Sequence, residues 1–437
     1  VNDFGLDAAL TARRTLLRRL LCGPLALATP IDNLWAAAGA GAEPDDDGSV
    51  RRGQALRFPA DFGAHPATRI EWWYLTGWLS DAPAPDAQPR LGFQVTFFRA
   101  RTGLAQDLPG RFAPRQLLFA HAAVTDLRDA QQPRHLHAQR IGRWDGRSPD
   151  GDVHALRNDT GVRLGSWQLL RTAGDGAYQA HVEAGPAAAQ AGPDGDAAAG
   201  DGFALDLRFA PTQPLLLQGD HGYSRKGPRE GEASDYYSQP QLAVSGQVRV
   251  GRANAAGRGG ATGKLNEGLN AGLQPRLRDG QPVQGRAWLD HEWSNTYLAP
   301  EAVGWDWIGF NLFDGSALMA FRLRRADGSA LWAGGSLRRP GQPARIFDAD
   351  EVRWEPGRRW TSPATGARYP VEWTVDAPGG RFAVRALLDS QELDARGSTG
   401  TVYWEGLSQL FDAEGRLIGC GYLEMTGYAA RLRLGPG

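Results

Sequence analysis

An imidazole, two carboxylates and two indoles fall close together in Ala287-Trp288-Leu289-Asp290-His291-Glu292-Trp293-Ser294-Asn295. On a strand, side chains alternate, so His291, Trp293 and Asn295 share one face. A histidine beside an indole suits a site that handles an apolar molecule with one polar event. His291 could take a proton from a water or orient that water. It could equally be a core histidine bonded to Asp290 or to a backbone carbonyl. Trp293 could shelter a developing carbocation with its π face, or simply pack. His291-Glu292 opens like H-E-x-x-H, but Asn295 stands where the second histidine is needed and the segment reads as strand, not helix. A zincin is therefore excluded, and the expectation is no metal and no cofactor.

Other carboxylates sit in aromatic surroundings. Asp306 lies between Trp305 and Trp307, and on a strand it shares a face with Ile308, Phe310 and Leu312. Glu71 shares a face with Trp73 and Leu75, and Glu405 follows Tyr403-Trp404. Burial disfavours the charged form of a carboxyl and raises its pKa, which makes a general acid. The plainer reading is a buried carboxylate bonded to a backbone amide or an arginine. Glu71 and Glu405 are read that way; for Asp306 both readings stand. Tyr237, in Asp235-Tyr236-Tyr237-Ser238, could line the same pocket as His291. There is no G-x-S-x-G, no phosphate loop and no dinucleotide fingerprint, so hydrolase and nucleotide chemistry of those kinds is disfavoured.

The elements that must carry these groups are strands. The chain has 437 residues, 57 glycines, 28 prolines and 15 tryptophans. That length suggests two domains, and many glycines with many aromatics suit an all-β protein with tight turns. Strand patterns run from Ile70 to Leu79, Leu91 to Arg99 and Leu117 to Asp126, and recur as far as Leu242 to Val250. Repeated short strands with turn signals indicate a barrel or sandwich. Eight histidines are scattered, and His135 and His137 read as a polar loop. A net charge of −1 argues against nucleic acid as a partner. No apolar run after residue 50 is long enough to span a membrane.

The N-terminus reads as a targeting segment, residues 1–45. Arg13-Arg14-Thr15-Leu16-Leu17-Arg18 is a twin-arginine pattern, followed by a mildly apolar stretch, Leu20 to Ala28, and small residues from Ala36 to Ala40. The expectation is export to a periplasm. Cys22 falls inside this segment, so Cys420 is left without a disulfide partner and reads as a buried structural thiol. Two insertions, Gly185 to Gly202 and Gly251 to Gly272, lack apolar content to pack and read as loops. EWWYLTGWL followed by LGFQVTFFR is matched weakly by WDWIGFNL followed by ALMAFRLRR, which suggests two copies of one β unit.

Seven motifs together resemble the AttH/carotenoid 1,2-hydratase (CrtC) family of lipocalin-like proteins. They are EWWYLTGWL at Glu71, LGFQVTFFR at Leu91, DYYSQPQLAVSG at Asp235, GRAWLDHEWSN at Gly285, GWDWIGFNLFDG at Gly304, YWEG at Tyr403 and GYLEMTGY at Gly421. The resemblance implies two lipocalin-like β-barrel domains packed together, placed here at 50–298 and 299–437. For the carotenoid hydratases it implies alkene protonation and water capture, with a His-x-Trp pair that maps onto His291 and Trp293. The aspartate of a Tyr-x-Asp pair maps onto Asp306, while Gly304 takes the tyrosine's place. The likeness is therefore closer to the exported AttH-like branch. On this view His291, Trp293 and Asp306 are the candidate catalytic residues, and Trp72, Tyr74, Tyr237, Trp305, Trp307 and Tyr403 the ligand-binding ones. The expected function is a cofactor-free acid/base hydratase or hydrolase acting on a hydrophobic small molecule. The alternative is a non-catalytic periplasmic carrier of a lipid-like ligand, working with an ABC-type transporter permease.

Overall fold

The computed structural model describes residues 48–81, 88–104, 106–108, 110, 112–185, 201–252, 280–296 and 298–432. The expected signal segment and most of both glycine-rich insertions lie outside the described residues. Strand-forming segments cut by glycine-bearing turns give two large antiparallel sheets and a two-stranded ribbon, Arg359–Thr361 with Arg368–Pro370; among the described residues the one helical element is the 3-10 turn Ala60–Phe62. No helix there is long and apolar enough to cross a membrane.

The first sheet runs in the order Arg134–Trp144, Gln116–Asp126, Leu91–Arg101, Ile70–Ser80, Gln281–Ser294, Ala233–Arg252, Asp201–Ala210, Tyr178–Ala184, Trp167–Arg171, Gly161–Leu164 and Val153–Ala155. Its two ends nearly meet. A Cβ on Gly142 of the first strand in this order would lie 2.7 Å from Val153 in the last, so glycine permits the close approach that almost shuts the barrel. The interior is packed with Trp73, Leu75, Phe93, Phe97, Trp167 and Phe209, all buried. It is a core and not an open ligand chamber. His135 and His137 stand on the Arg134–Trp144 strand opposite Thr125 and Ala123, not in a loop, because that strand continues the hairpin from Gln116–Asp126.

The second sheet runs Arg345–Phe347, Ala330–Arg338, Ala317–Arg324, Gly304–Leu312, Leu417–Thr426, Thr401–Phe411, Gly380–Ala386, Glu372–Ala377 and Arg353–Pro356. In both sheets the first long strand pairs on one side with the next strand and on the other with a strand near the sheet's C-terminal end. The weak sequence repeat falls on these equivalent strands. Glu71 sits opposite Arg99 and binds it through Arg99 Nε at 2.7 Å; Asp306 sits opposite Arg322 and binds it through Arg322 Nε at 2.7 Å.

Both strands of the repeat bury two faces. One face looks into its own sheet's core; the other meets the opposite sheet. Tyr74, Trp78 and Trp288 of the first sheet pack with Trp307, Phe321, Leu407 and Tyr422 of the second. A bulge in Ala233–Arg252 pins this contact: one extra residue lies between Gln239 and Leu242, and Gln241 adopts φ 56°. Its backbone N–H then donates to Asn311 Oδ1 at 2.7 Å, and its side chain donates to the carbonyls of Leu312 and Ser316. The bulge also reverses side-chain parity along the strand, so Tyr237 before it and Leu242 after it both point into the barrel core.

Candidate active site between the two sheets

The alternation of Gln281–Ser294 divides the opening motif in two. His291 and Trp293 face the barrel interior; Asp290 and Glu292 face the second sheet. Inside the barrel, His291 Nε2 lies 2.9 Å from Glu71 Oε1 and its Nδ1 lies 3.0 Å from the Tyr237 hydroxyl. His65 adds Nδ1 at 2.8 Å from the same Glu71 oxygen and stacks on Trp293 at 3.8 Å between ring centres. Burial works against Glu71's charge, but Arg99 and the two imidazoles outweigh it and hold the carboxyl well below its usual range. An ionised Glu71 can only accept, so His291 donates from Nε2 and accepts from Tyr237 at Nδ1. Burial then pulls His291 down to about 4, against the opposing Glu71 bond. Burial also works against a charged His65, yet bonds to Asp61 and Glu71 lift its pKa to about 9.

His65, Glu71 and His291 are also the one trio among the described residues that could converge on a metal. Their nitrogens and oxygens are already matched proton for proton, and the Arg99 guanidinium sits against the carboxylate. A cation would have to displace that arrangement, so the trio is assigned as a buried polar network.

On the other face lies a cavity of about 80 Å³ between the sheets. Its walls are aromatic: Trp72, Tyr74, Phe98, Trp305, Trp307 and Phe321. Set among them are four carboxyls, Asp290 and Glu292 from the first sheet and Glu405 and Glu424 from the second. Burial, helped by the nearby Glu292 charge, pushes Asp290 up to about 7 even though Ser238, Trp288 and Tyr236 donate to it. The Tyr236 hydroxyl is 2.7 Å away and the Trp288 indole nitrogen 2.6 Å. Burial likewise raises Glu424 to about 8, opposed by the indole N–H of Trp305 at 3.0 Å and aided by the neighbouring acids. Glu405, directly across the strand pair from Glu424, is raised well above its usual range by burial and by Glu424. Glu405 Oε2 and the Tyr74 hydroxyl have no hydrogen-bond partner among the described residues. Glu292 is held by Lys226 Nζ at 2.9 Å, and that ammonium also lies over the rings of Tyr236 and Phe321. The chemical content is a π-lined space with three carboxyls whose affinity for a proton is raised by burial and one fixed ion pair.

The comparisons with known proteins agree with this architecture. The AttH-like family profile matches residues 49–428. The chain belongs to the AttH-like family. The crystal structure of an AttH candidate from Nitrosomonas europaea is similar to this AttH-like chain at 41% identity and TM-score 0.68, over 87% of this chain and 99% of that one. Kievitone hydratase from Nectria haematococca shares the fold at 13% identity and TM-score 0.54, over 88% of this chain and 97% of that one. No curated protein matches in sequence.

The expected site residues of this AttH-like chain fall into four places. Trp72, Tyr74, Trp305 and Trp307 line the cavity between the sheets. His291, Trp293 and Tyr237 lie together in the first barrel's core. His291 bonds Glu71 and Tyr237 there, not Asp290, which points the other way. Asp306 does not share a pocket with His291. It is buried in the second sheet's core, where Arg322 and Arg324 hold one oxygen at 2.7 and 2.9 Å and the Tyr428 hydroxyl donates to the other at 2.9 Å. The physical reason is parity: Trp305 and Trp307 take the interface face, so Asp306 must take the opposite one. Tyr403 binds His121 at a separate contact, in a small cluster with Ala123, Leu393 and Ala395. Asp290, Glu292, Glu424, Tyr236, Lys226, Phe98 and Phe321 were missed as site residues, and Glu405 was read as structural. The signal for the first two was in the same alternation that selected His291. Lys226 had one too, being one of only two lysines in an arginine-rich chain.

Proposed function

We propose that the chain is a cofactor-free acid/base hydratase, or the reverse hydro-lyase, acting on an alkene-bearing hydrophobic small molecule in the cavity between the sheets. The observation that carries this is the set of three raised carboxyls, Asp290, Glu405 and Glu424, inside an aromatic wall. Glu405 is assigned as the proton donor, because it lines the cavity and its Oε2 has no hydrogen-bond partner among the described residues. Transfer of its proton to one alkene carbon leaves a cation on the other, sheltered by the faces of Trp72, Trp305 and Trp307. Water adds to that carbon, and Asp290 takes the water's proton; the three donors on Asp290 stabilise the carboxylate form it needs for this. The cycle closes when the proton that Asp290 takes from the water passes by way of Glu424, which sits opposite Glu405 on the neighbouring strand, back to Glu405, so that each carboxyl regains its starting state. Lys226 neutralises Glu292, so the developing cation does not collapse onto a bare carboxylate.

The test is turnover of apolar alkenes in ¹⁸O-labelled water, read as one labelled hydroxyl per product. Glu405→Gln and Asp290→Asn should each lower kcat by about 10²- to 10⁴-fold, the usual share of one acid or base. Unchanged kcat in both variants would end this reading. Hydrolysis stays a narrower form of the same acid/base idea and would show label in a cleaved product. Export to the periplasm is part of the proposal, supported by the twin-arginine pattern at Arg13-Arg14. A fusion to a folded reporter should reach the periplasm only when both arginines are intact. The carrier reading, with a transporter permease as partner, predicts tight ligand retention with no labelled product.

A further inference from the structure

We propose that the substrate is an elongated anionic amphiphile whose reactive end enters the acid cavity while its charged end lies in the adjoining cleft against Arg225 and Arg338. This rests on the acid-cavity reading above and adds the substrate class.

Size comes first. A water needs about 10–15 Å³ of such space, so a cavity of about 80 Å³ holds an alkene carbon pair and a water, not a whole ligand. Pockets that enclose a drug-sized ligand are about 300–1,000 Å³. The remainder of any substrate must therefore lie outside, and a cleft of about 1110 Å³ is available next door. Phe321 lines both spaces, and the consecutive residues Arg225 and Lys226 line the cleft and the cavity respectively. The Phe321 ring lies over Gly334, where a Cβ would come 2.9 Å from it, so an aromatic ring seated on bare backbone stands at the boundary of the two spaces.

The cleft's chemistry then selects the other end. Leu215, Leu217, Met319, Trp332 and Phe347 give it apolar surface. Arg338 is buried, and its guanidinium donates only to neutral oxygens: the carbonyls of Pro214 and Leu215 at 2.9 and 3.2 Å and Gln213 Oε1 at 2.8 Å. Arg225 lies over the Trp332 ring at 4.3 Å, bonds the carbonyls of Gly227 and Pro228, and leaves its buried Nε without a hydrogen-bond partner among the described residues. Neither has a carboxylate counter-ion among the described residues, whereas Arg52 in the same cleft is matched by Asp220 at 2.7 Å. Two unneutralised guanidiniums on an apolar wall recognise a carboxylate or phosphate head on a hydrocarbon body.

The probe is a fluorescent polyene fatty acid, compared with its methyl ester and with an alkyl phosphate of similar length. The acid should bind at least about tenfold more tightly than the ester, as expected for losing a charge-assisted hydrogen bond. The double variant Arg225→Gln/Arg338→Gln should bind both alike, with thermal midpoint and circular dichroism reporting that it folds. A tighter alkyl phosphate assigns the head group as phosphate, and a tighter fatty acid as carboxylate. Equal affinity of acid and ester for the wild type, or binding of neither, overturns the inference. Asp290→Asn separates the two proposals: it should keep the acid/ester discrimination while losing turnover. Discrimination without any hydratase activity in the wild type would retain the cleft and reject the acid chemistry.

Discussion

At the scale of single residues, a carboxyl that keeps its proton near neutral pH leaves a thermodynamic trace. Asp290 has an ordinary value of 3.8 and is pushed up to about 7 in the folded chain; Glu424 goes from 4.5 to about 8. Between the two values the unfolded chain is ionised and the folded chain is not, so folding takes up a proton. Raising the pH therefore opposes folding: the contribution is complete below about pH 4 and is lost as pH rises through 7 and 8. Asp290→Asn keeps the shape and cannot ionise. Its stability, followed through the thermal midpoint, should gain on the wild type from pH 5 to about pH 7 and then level off, the gain over that range being on the order of 3 kcal/mol at most. Curves that run parallel over that range would mean Asp290 is already ionised at pH 5, and the acid cavity would lose its premise. His65 moves in the same direction, since its raised value favours folding below about 6.5 and fades as pH passes 9. The comparison must therefore be between variant and wild type.

At the scale of elements, the repeated strand pair explains why two of the most conspicuous acids are not at the cavity. Glu71–Arg99 and Asp306–Arg322 occupy equivalent cross-strand positions, each on the face turned to its own core. Removing one charge strands a buried guanidinium, a change that typically costs about 3–5 kcal/mol. Asp306→Asn, which strands Arg322 and Arg324, and Glu71→Gln, which strands Arg99, should therefore each lower the unfolding free energy obtained from urea titration by an amount in that range. An Asp306→Asn variant within about 1 kcal/mol of wild type would show that the clamp is not structural. The strands themselves, their alternation and the doubled unit were legible in the sequence, as were the tryptophans at 72, 305 and 307. Which face of each strand would meet the other sheet was not. Both faces are apolar, and the partner surface comes from residues more than two hundred positions away, as with Trp72 and Trp305. The bulge at Gln239–Leu242 hid the rest, because its extra residue reverses the parity on which any reading of Tyr236 against Tyr237 depends.

At the scale of the whole molecule, the cavity exists only because two sheets share a face. The contact is held by apolar burial of Tyr74, Trp78 and Trp288 against Trp307, Phe321 and Tyr422. It is fixed in register by bonds that cross it: Asn311 Nδ2 to the Ala287 carbonyl at 3.0 Å, the Gln241 amide to Asn311, and the Trp307 indole to the Tyr236 hydroxyl at 3.3 Å. Separating the sheets would expose the apolar and aromatic residues of this shared face, a surface that favours association, and would let water reach Glu405 and Glu424, removing the burial that raises them. The two sheets should therefore unfold in one cooperative transition, seen as coincident denaturation curves by tryptophan fluorescence and far-ultraviolet circular dichroism. A fragment from residue 299 onward should self-associate when expressed alone and should regain a monomeric complex when co-expressed with the fragment ending at residue 298. A soluble, monomeric C-terminal fragment with a sharp transition of its own would show that the shared face is dispensable. In that case the acids it encloses could not owe their protons to the pairing of the sheets.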